Sequence, residues 1–264
     1  MNIPKNYQVT IPGVANVTLN YVANTRTDEV VTTMGGAIVL NLIKPYDGFP
    51  AGARVIVNPV TQYLVAQTPT SGVKTLGRAY GTRVHANVGD RVQVFSDPTA
   101  RRITPYGSSQ GETLRTSTAN VNVPGLLTTG VVESTSWSVK DTVGNGEIRN
   151  TNRIAGLNVL NGLIRADAIK VSNTGKIQDG QWSSQLRMTT VNLVVAGRQI
   201  PVDVAPNTSI DVAGLGRVTL NWQGKAPSQR ISRIDALRIK LDTARAGLPA
   251  GAVVEVSVAI TQFG

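Results

Sequence analysis

The chain has 264 residues, with 26 Lys and Arg against 16 Asp and Glu, which gives a net charge of +10. Hydrophobic residues make up 41% and charged residues only 16% of the chain, a composition that disfavours intrinsic disorder because a core can form. The absence of cysteine excludes a disulfide framework, a thiolate metal site and a cysteine nucleophile.

The first predicted strands lie in residues 11–63. The stretch "IPGVANVTLNY" (residues 11–21) is rich in strand-forming residues, and "ARVIVNPV" (residues 53–60) alternates Arg54 and Ile56 with Val55 and Val57. Such alternation is typical of half-buried strands. The Gly, Pro and Asp residues of "PYDGFPAG" predict a turn between strands.

The middle of the chain also predicts strands. His85, the single histidine, lies in the alternating stretch "TRVHANVGD", which favours a structural role over acid–base chemistry. Residues 149–171, "RNTNRIAGLNVLNGLIRADAIKV", have some helical spacing, but Gly156 and Gly162 interrupt it. We therefore predict strands here as well.

The C-terminal elements resemble the N-terminal ones. The stretch "VAGLGRVTLNW" (residues 212–222) matches residues 11–21 at an offset of 201, and "LPAGAVVEV" (residues 248–256) matches "FPAGARVIV" (residues 49–57) at an offset of 199. The matches keep their order over some fifty residues, which chance rarely produces. Residues 11–63 and 212–263 are therefore predicted to form the same supersecondary unit.

These patterns predict an all-β protein, an antiparallel β-sandwich or barrel-like domain with an N-terminal partial repeat of its C-terminal strands. Residues 1–66 form the predicted N-terminal β segment, which resembles residues 212–263. Residues 67–264 form the predicted main domain.

Three runs of the main domain form a recognisable pattern: "LNVLNGLIRADAIKVSN", "VNLVVAGRQIPVDVAPNTSIDVAGLGRVTLNWQ" and "RIDALRIKLD". On these runs the main domain resembles the choice-of-anchor P family of actinobacterial surface and secreted proteins. "LGRAYGTRVHAN" and "NVPGLLTTG" are similar to the start of the same unit, so the resemblance covers roughly residues 75 to 262. It implies an all-β extracellular-type domain without established enzymatic activity, and it assigns no catalytic residue.

Two departures from the family matter. The first 63 residues are an additional copy of only the domain's C-terminal portion, and the other departure bears on the biological setting. Members of the family generally have a secretion signal and often a cysteine pair. The opening "MNIPKNYQVT" has no signal pattern, and the chain has no cysteine. A relative of this kind is what we expect of a phage-encoded virion protein, because virions assemble in the reducing host cytoplasm. The alternative expectation is a secreted protein from which the signal was removed.

The excess of arginine, 18 Arg against 8 Lys, predicts an acidic partner. The basic residues are dispersed at strand spacing without an aromatic–basic binding motif, which disfavours nucleic acid. No stretch approaches the roughly 18 consecutive apolar residues of a membrane span. The candidate basic contact surface consists of Arg101, Arg102, Lys225, Arg230, Arg233, Arg238, Lys240 and Arg245.

The sequence thus predicts a non-enzymatic structural protein without catalytic residues, cofactor or metal. The favoured interpretation is an actinobacteriophage virion component, a capsid decoration or tail-associated protein. It would form a homo-oligomer within an assembly and dock on acidic capsid or tail subunits. The alternative is a secreted cell-envelope surface or adhesion protein that binds an anionic wall polymer. An enzyme such as a glycan hydrolase ranks third.

Overall fold

The computed structural model describes residues 3–26, 30–46, 51–57, 60–65, 73–88, 92–96, 98–105, 107–245 and 247–264. Within these ranges nearly all regular structure is β-strand, and the one exception is the short 3-10 turn Pro227–Gln229. No helix in the same ranges is long and apolar enough to cross a membrane. All strand pairs with a defined register are antiparallel, which confirms the predicted all-β antiparallel class.

The chain divides into two compact units, and neither is a continuous segment. The first unit comprises Met1–Pro69, Val84–Asp97 and Leu241–Val253, and the second comprises Thr70–Arg83, Pro98–Lys240 and Val254–Gly264. The predicted boundary between residues 66 and 67 lies outside the described residues.

The first unit is built on one sheet. Its strands are β1 (Tyr7–Ile11), β2 (Ala15–Arg26), β3 (Val30–Leu42), β4 (Arg54–Val57), β5 (Val60–Val65), the end of β6 (Thr75–Val88) and β7 (Val92–Phe95). The order is β1-β2-β3-β4-β7-β6, and β5 also pairs with β3 beyond the end of β4. The predicted strand at residues 53–60 thus corresponds to β4, although residues 58 and 59 are outside the described ranges.

The second unit contains two sheets. Its strands are β8 (Arg102–Ile103), β9 (Leu114–Thr118), β10 (Val121–Val123), β11 (Leu127–Thr129), β12 (Val132–Lys140), β13 (Gly146–Val159), β14 (Ile164–Gln178), β15 (Gln181–Val191), β16 (Val194–Val195), β17 (Arg198–Gln199), β18 (Thr208–Val212), β19 (Gly216–Ala226), β20 (Ile231–Leu241) and β21 (Val253–Phe263). In one sheet β6 is followed by β21, β20, β19 and β18, and in the other β13 and β14 lie centrally between β12 and β15. Residues 149–171 therefore form the end of β13 and the start of β14, joined by a turn at residues 160–163, so the predicted strands are confirmed.

The two sheets of the second unit face each other as a sandwich. Phe263 of β21 packs with Ile148 and Ile177 of the opposite sheet. Asn173 also crosses the interior, since its Nδ2 donates to the Ser232 carbonyl at 2.8 Å. This fully buried amide is satisfied, as buried polar groups must be, and it fixes the position of one sheet against the other.

The predicted repeat has matching hydrogen bonds in both copies. Asn6 and Asn207, 201 residues apart, have positive φ angles of 56° and 60°. The Asn6 side chain donates to the Val22 carbonyl at 2.8 Å and accepts from the Val22 N–H at 2.7 Å. Asn207 makes the same pair of bonds to Gln223, at 3.3 and 2.9 Å. In each copy, an asparagine in the left-handed region thus makes two hydrogen bonds to the backbone of the equivalent strand, β2 in the first copy and β19 in the second.

A second set of bonds recurs at the offset of 199. Gly52 N–H donates to the Leu42 carbonyl at 2.7 Å, and Gly251 N–H donates to the Leu241 carbonyl at 2.8 Å. Both glycines have φ angles near +82°, a region that glycine enters without steric cost. Both turns therefore have the same geometry.

Candidate anion-binding groove

The outer faces of β13, β14 and β15 carry a cluster of polar and basic side chains. Along β14, Ile169, Val171 and Asn173 are buried in the sandwich, so the alternating Lys170 and Ser172 point outward. The same alternation turns the outward positions of β13 and β15 to the same side.

These outward side chains enclose a groove of about 510 Å³, the β14 groove. Its floor is Ser172 and Thr174 of β14, whose short hydroxyl side chains lie between Lys170 and Lys176 on the same strand. The residues that line it are Glu147, Arg149, Thr151, Lys170, Ser172, Thr174, Lys176, Ser183, Ser184, Gln185 and Arg187. Four of these residues are basic and one is acidic.

Cross-strand register places the two arginines on opposite sides of the floor. Arg149 of β13 lies directly opposite Thr174, and Arg187 of β15 lies directly opposite Ser172. Neighbouring strands are about 4.8 Å apart, so both guanidinium groups can reach over the floor.

Only part of the positive charge is neutralised within the groove. Glu147 pairs with Arg149 at 3.1 Å and with Lys176 at 3.4 Å. Among the described residues, no carboxylate oxygen lies within 4.0 Å of the basic groups of Lys170 or Arg187. These two exposed cations are therefore available to an anionic ligand.

A like-charge pair adds to the positive potential at one end. Arg153 of β13 lies directly opposite Lys170 of β14, and both side chains are exposed. Like charges in directly opposite positions destabilise a sheet by a few tenths of a kcal/mol or more. An anion bound at this end would relieve the repulsion.

The basic residues singled out from the sequence lie elsewhere. Arg101, Lys225, Arg230, Lys240 and Arg245 are exposed, and Arg102 and Arg238 are partly buried. All except Arg245 belong to the second unit, and none lines the β14 groove. Lys225 is already engaged, because its Nζ donates to the Ser184 carbonyl at 3.3 Å.

Arg233 differs from this set, since its side chain is only 21% exposed and belongs to a buried charge cluster with Tyr80, Asp235 and Glu255. Its Nε contacts Asp235 Oδ1 and its Nη2 contacts Glu255 Oε1, each at 2.6 Å. The Tyr80 hydroxyl donates to Glu255 Oε2 at 2.6 Å. Arg233 is thus occupied within the protein rather than presented to a partner.

Burial governs the protonation of the charge cluster. It raises the pKa of Asp235 to about 6, although hydrogen bonds from Arg233 act in the opposite direction. Burial also raises the pKa of Tyr80 above its usual value, so its hydroxyl stays a donor. For Arg233, burial acts to lower the pKa, but the hydrogen bonds and the charge of Asp235 act more strongly in the opposite direction. The pKa of Arg233 is therefore raised above its usual value, and the guanidinium stays charged.

The charge cluster is present in only one copy of the repeat. At the offset of 199, Arg233, Asp235 and Glu255 correspond to Met34, Gly36 and Ile56. A Cβ atom on Gly36 would lie 2.7 Å from Ile56 Cγ2, so the apolar side chain occupies the space beside the glycine. The same strand arrangement is thus compatible with apolar residues at these three positions.

An aromatic ring lies beside one arginine of the β14 groove, and another lies beside one of the basic residues predicted from the sequence. The Arg149 guanidinium lies 5.3 Å from the Trp137 ring, and Arg238 lies 4.6 Å from the Trp222 ring. Such cation–π contacts hold an arginine in place while leaving its charge intact. In the described part of the chain, no three His, Asp or Glu side chains are close enough to hold a metal ion.

Comparison of the chain with protein-family models, with curated proteins and with solved structures finds no match. The resemblance to the choice-of-anchor P family therefore stays a prediction from the sequence.

Proposed function

We propose that the protein is a non-enzymatic structural component of a larger assembly and docks on acidic surfaces of other protein subunits through the β14 groove. The observation that supports this role is the charge of the groove, where four cations surround a hydroxyl floor and a single acid. Complementary charge of this kind steers association and fixes orientation more than it adds affinity.

The buried charge cluster of the second unit is engaged inside the fold. Arg233 contacts both Asp235 and Glu255 at 2.6 Å, so its charge is not presented to a partner. The β14 groove, in contrast, leaves Lys170 and Arg187 exposed to solvent.

The setting that we propose is a bacteriophage virion, in which the chain is a capsid decoration or tail-associated protein present in several copies. The support is the resemblance to choice-of-anchor P proteins together with a chain that contains no cysteine to pair. The same resemblance supports the alternative, a surface protein of the cell envelope that binds an anionic wall polymer. The two settings predict different locations.

Mass spectrometry of the natural source tests the setting. Virions purified from a lysate, and washed cell envelopes from the same culture, are analysed for the chain. A stoichiometric amount in the virions supports the virion role, and enrichment in the envelopes supports the alternative instead. Absence from both fractions contradicts the structural role in either form.

Charge substitution tests the docking surface. The double variant Lys170→Gln and Arg187→Gln removes the two unpaired cations of the groove. The matched control, Arg165→Gln and Arg198→Gln, removes two exposed arginines of the same sheet outside the groove. We expect only the first variant to lose attachment to its assembly.

Salt should have the same effect as the groove substitutions. Attachment of the unmodified chain should weaken as NaCl rises from about 0.1 M to about 1 M, where the Debye length falls from about 10 Å to about 3 Å. If attachment is insensitive both to salt and to the groove variant, the proposed docking surface is wrong.

A further inference from the structure

We propose that the β14 groove binds an extended acidic polypeptide segment in which Asp or Glu occupies every second position. This inference rests on the proposed docking function and names the chemistry of the partner. The occupant is a strand-like segment that lies along β14, over the hydroxyl floor, rather than a flat acidic patch.

The spacing of the cations supports an extended peptide. The register places the four groove cations at four successive levels along β14, where a level is one outward position of β14 together with the residues directly opposite it. The levels are two residues apart: Lys176 lies opposite Glu147, Arg149 opposite Thr174, Arg187 opposite Ser172, and Lys170 opposite Arg153. A strand rises about 3.3 Å per residue, so the levels are about 7 Å apart.

An extended peptide repeats its side chains on one face at the same interval. Residues i, i+2 and i+4 of a strand point to one side and are also spaced about 7 Å apart. Carboxylates at these positions would therefore meet at least one cation at each level of the groove. A ligand with a different charge spacing would match one or two levels and lose register at the next.

The lateral positions of the cations also follow β14. Lys170 and Lys176 lie on β14 itself, while Arg149 and Arg187 project from its neighbours on either side. The cations are thus placed on β14 and on both sides of it, and the short side chains of Ser172 and Thr174 leave space between them. A single strand that lies along β14 can be contacted from both sides.

The uncharged lining suits a peptide backbone. The hydroxyls of Thr151, Ser172 and Ser183 and the amide of Gln185 line the groove and can donate or accept hydrogen bonds. Backbone N–H and C=O groups need both kinds of partner. The groove lining itself contains no aromatic side chain, and the neighbouring Trp137 ring faces the Arg149 guanidinium at 5.3 Å, whereas single-stranded nucleic acids are generally held by stacking on aromatic rings.

Binding of two labelled peptides to the full chain tests the proposal. One is an octapeptide in which Glu and Ser alternate, and the other has the same composition with all glutamates before all serines. Fluorescence anisotropy should show about tenfold tighter binding of the alternating peptide, because only it matches the spacing of the levels. Equal affinities would show that binding depends only on the total charge of the peptide and not on the spacing of its glutamates. This result would overturn the proposal.

Groove variants locate the binding. Lys170→Gln with Arg187→Gln should abolish the preference for the alternating peptide, and Arg165→Gln with Arg198→Gln should leave it unchanged. Glu147→Gln should raise the affinity several-fold, because Glu147 competes with the ligand for Arg149 and Lys176. A preference that survives in the first variant places the peptide elsewhere and overturns the proposal.

Two other polyanions separate this inference from the docking function. Dextran sulfate and oligo(dT) are measured in competition with the alternating peptide. If either displaces the peptide at an equal or lower charge concentration, the acidic-segment proposal fails, although groove-dependent attachment to the assembly can still be observed. If the groove variant attaches to its assembly as well as the unmodified chain does, the docking function itself fails.

Discussion

Asp235 shows how burial sets the energy of a single residue. Its carboxyl is fully buried and accepts hydrogen bonds from Arg233 at 2.6 and 2.8 Å, yet its pKa rises to about 6. The loss of hydration therefore outweighs the contact with the arginine. Because this pKa exceeds the unfolded value of 3.8, the folded state holds the proton more tightly than the unfolded state does.

The sign of the resulting pH dependence follows from linkage. The contribution of Asp235 to stability is fully present below pH 3.8 and is lost as the pH rises through about 6. A shift of this size corresponds to roughly 3 kcal/mol in the free energy of unfolding. We expect Asp235→Asn to remove this pH-dependent contribution. As the pH rises from about 4 to about 6, the free energy of unfolding of the variant should therefore fall less than that of the unmodified chain.

Urea denaturation at several pH values measures the difference. Asp179→Asn is the matched control, because Asp179 is exposed and its positive φ of 50° is compatible with asparagine. The control should keep the pH dependence of the unmodified chain. Identical pH profiles for Asp235→Asn and the unmodified chain would contradict the assigned role of Asp235.

At the scale of single elements, the repeat is a natural comparison between charged and apolar packing. The strand positions of Arg233, Asp235 and Glu255 hold Met34, Gly36 and Ile56 in the N-terminal copy. Replacement of a buried ion pair by apolar residues of suitable shape is often neutral or stabilising, whereas removal of one partner alone is costly.

This comparison predicts two opposite outcomes. The combined variant carries Arg233→Met, Asp235→Gly and Glu255→Ile, together with Tyr80→Phe because the Tyr80 hydroxyl would lose its acceptor Glu255. Its free energy of unfolding should stay within about 2 kcal/mol of that of the unmodified chain. Arg233→Met alone should cost about 3–5 kcal/mol, because both carboxylates would stay buried without the Arg233 guanidinium that contacts them at 2.6 Å. Urea denaturation at neutral pH measures both. A combined variant less stable than the single variant would show that the two copies do not pack equivalently.

The fold could be predicted from the sequence because its signals are local or repeated. Alternation in β20 places Leu237 and Ile239 inward and Lys240 outward, as observed, and the recurring turn glycines indicated the repeat. These features depend on periods of two residues and on single backbone conformations. Neither requires knowledge of which strands are neighbours.

The candidate site could not be predicted in the same way. The sequence favoured basic residues that are close along the chain, whereas the β14 groove joins Arg149, Lys170 and Arg187 from three strands through their register. The outward alternation of Arg149, Thr151 and Arg153 was a readable signal, but the pairing of β13 with β14 was not. Arg233 was misleading for a related reason, since its carboxylate partners come from two strands.

At the scale of the whole molecule, the first unit depends on segments far apart in the sequence. Within it, β4 pairs with β7, and β7 pairs with the end of β6. Deletion of residues 1–66 would therefore leave β7 with one free edge, and unpaired edges promote association between chains. The second unit draws its strands almost entirely from residues 70–83, 98–240 and 254–264 and should keep its sandwich.

We therefore expect the deletion variant to self-associate while its second unit stays folded. Trp137, Trp182 and Trp222 all lie in the second unit, so tryptophan emission reports on that unit alone. The emission maximum should match that of the unmodified chain, and sedimentation velocity should show larger species. Adding Gln93→Lys, a charge of the kind found on natural edge strands, should reduce the association because it opposes edge pairing. If the deletion variant is monomeric and assembles as well as the unmodified chain, residues 1–66 are not needed to complete the first unit.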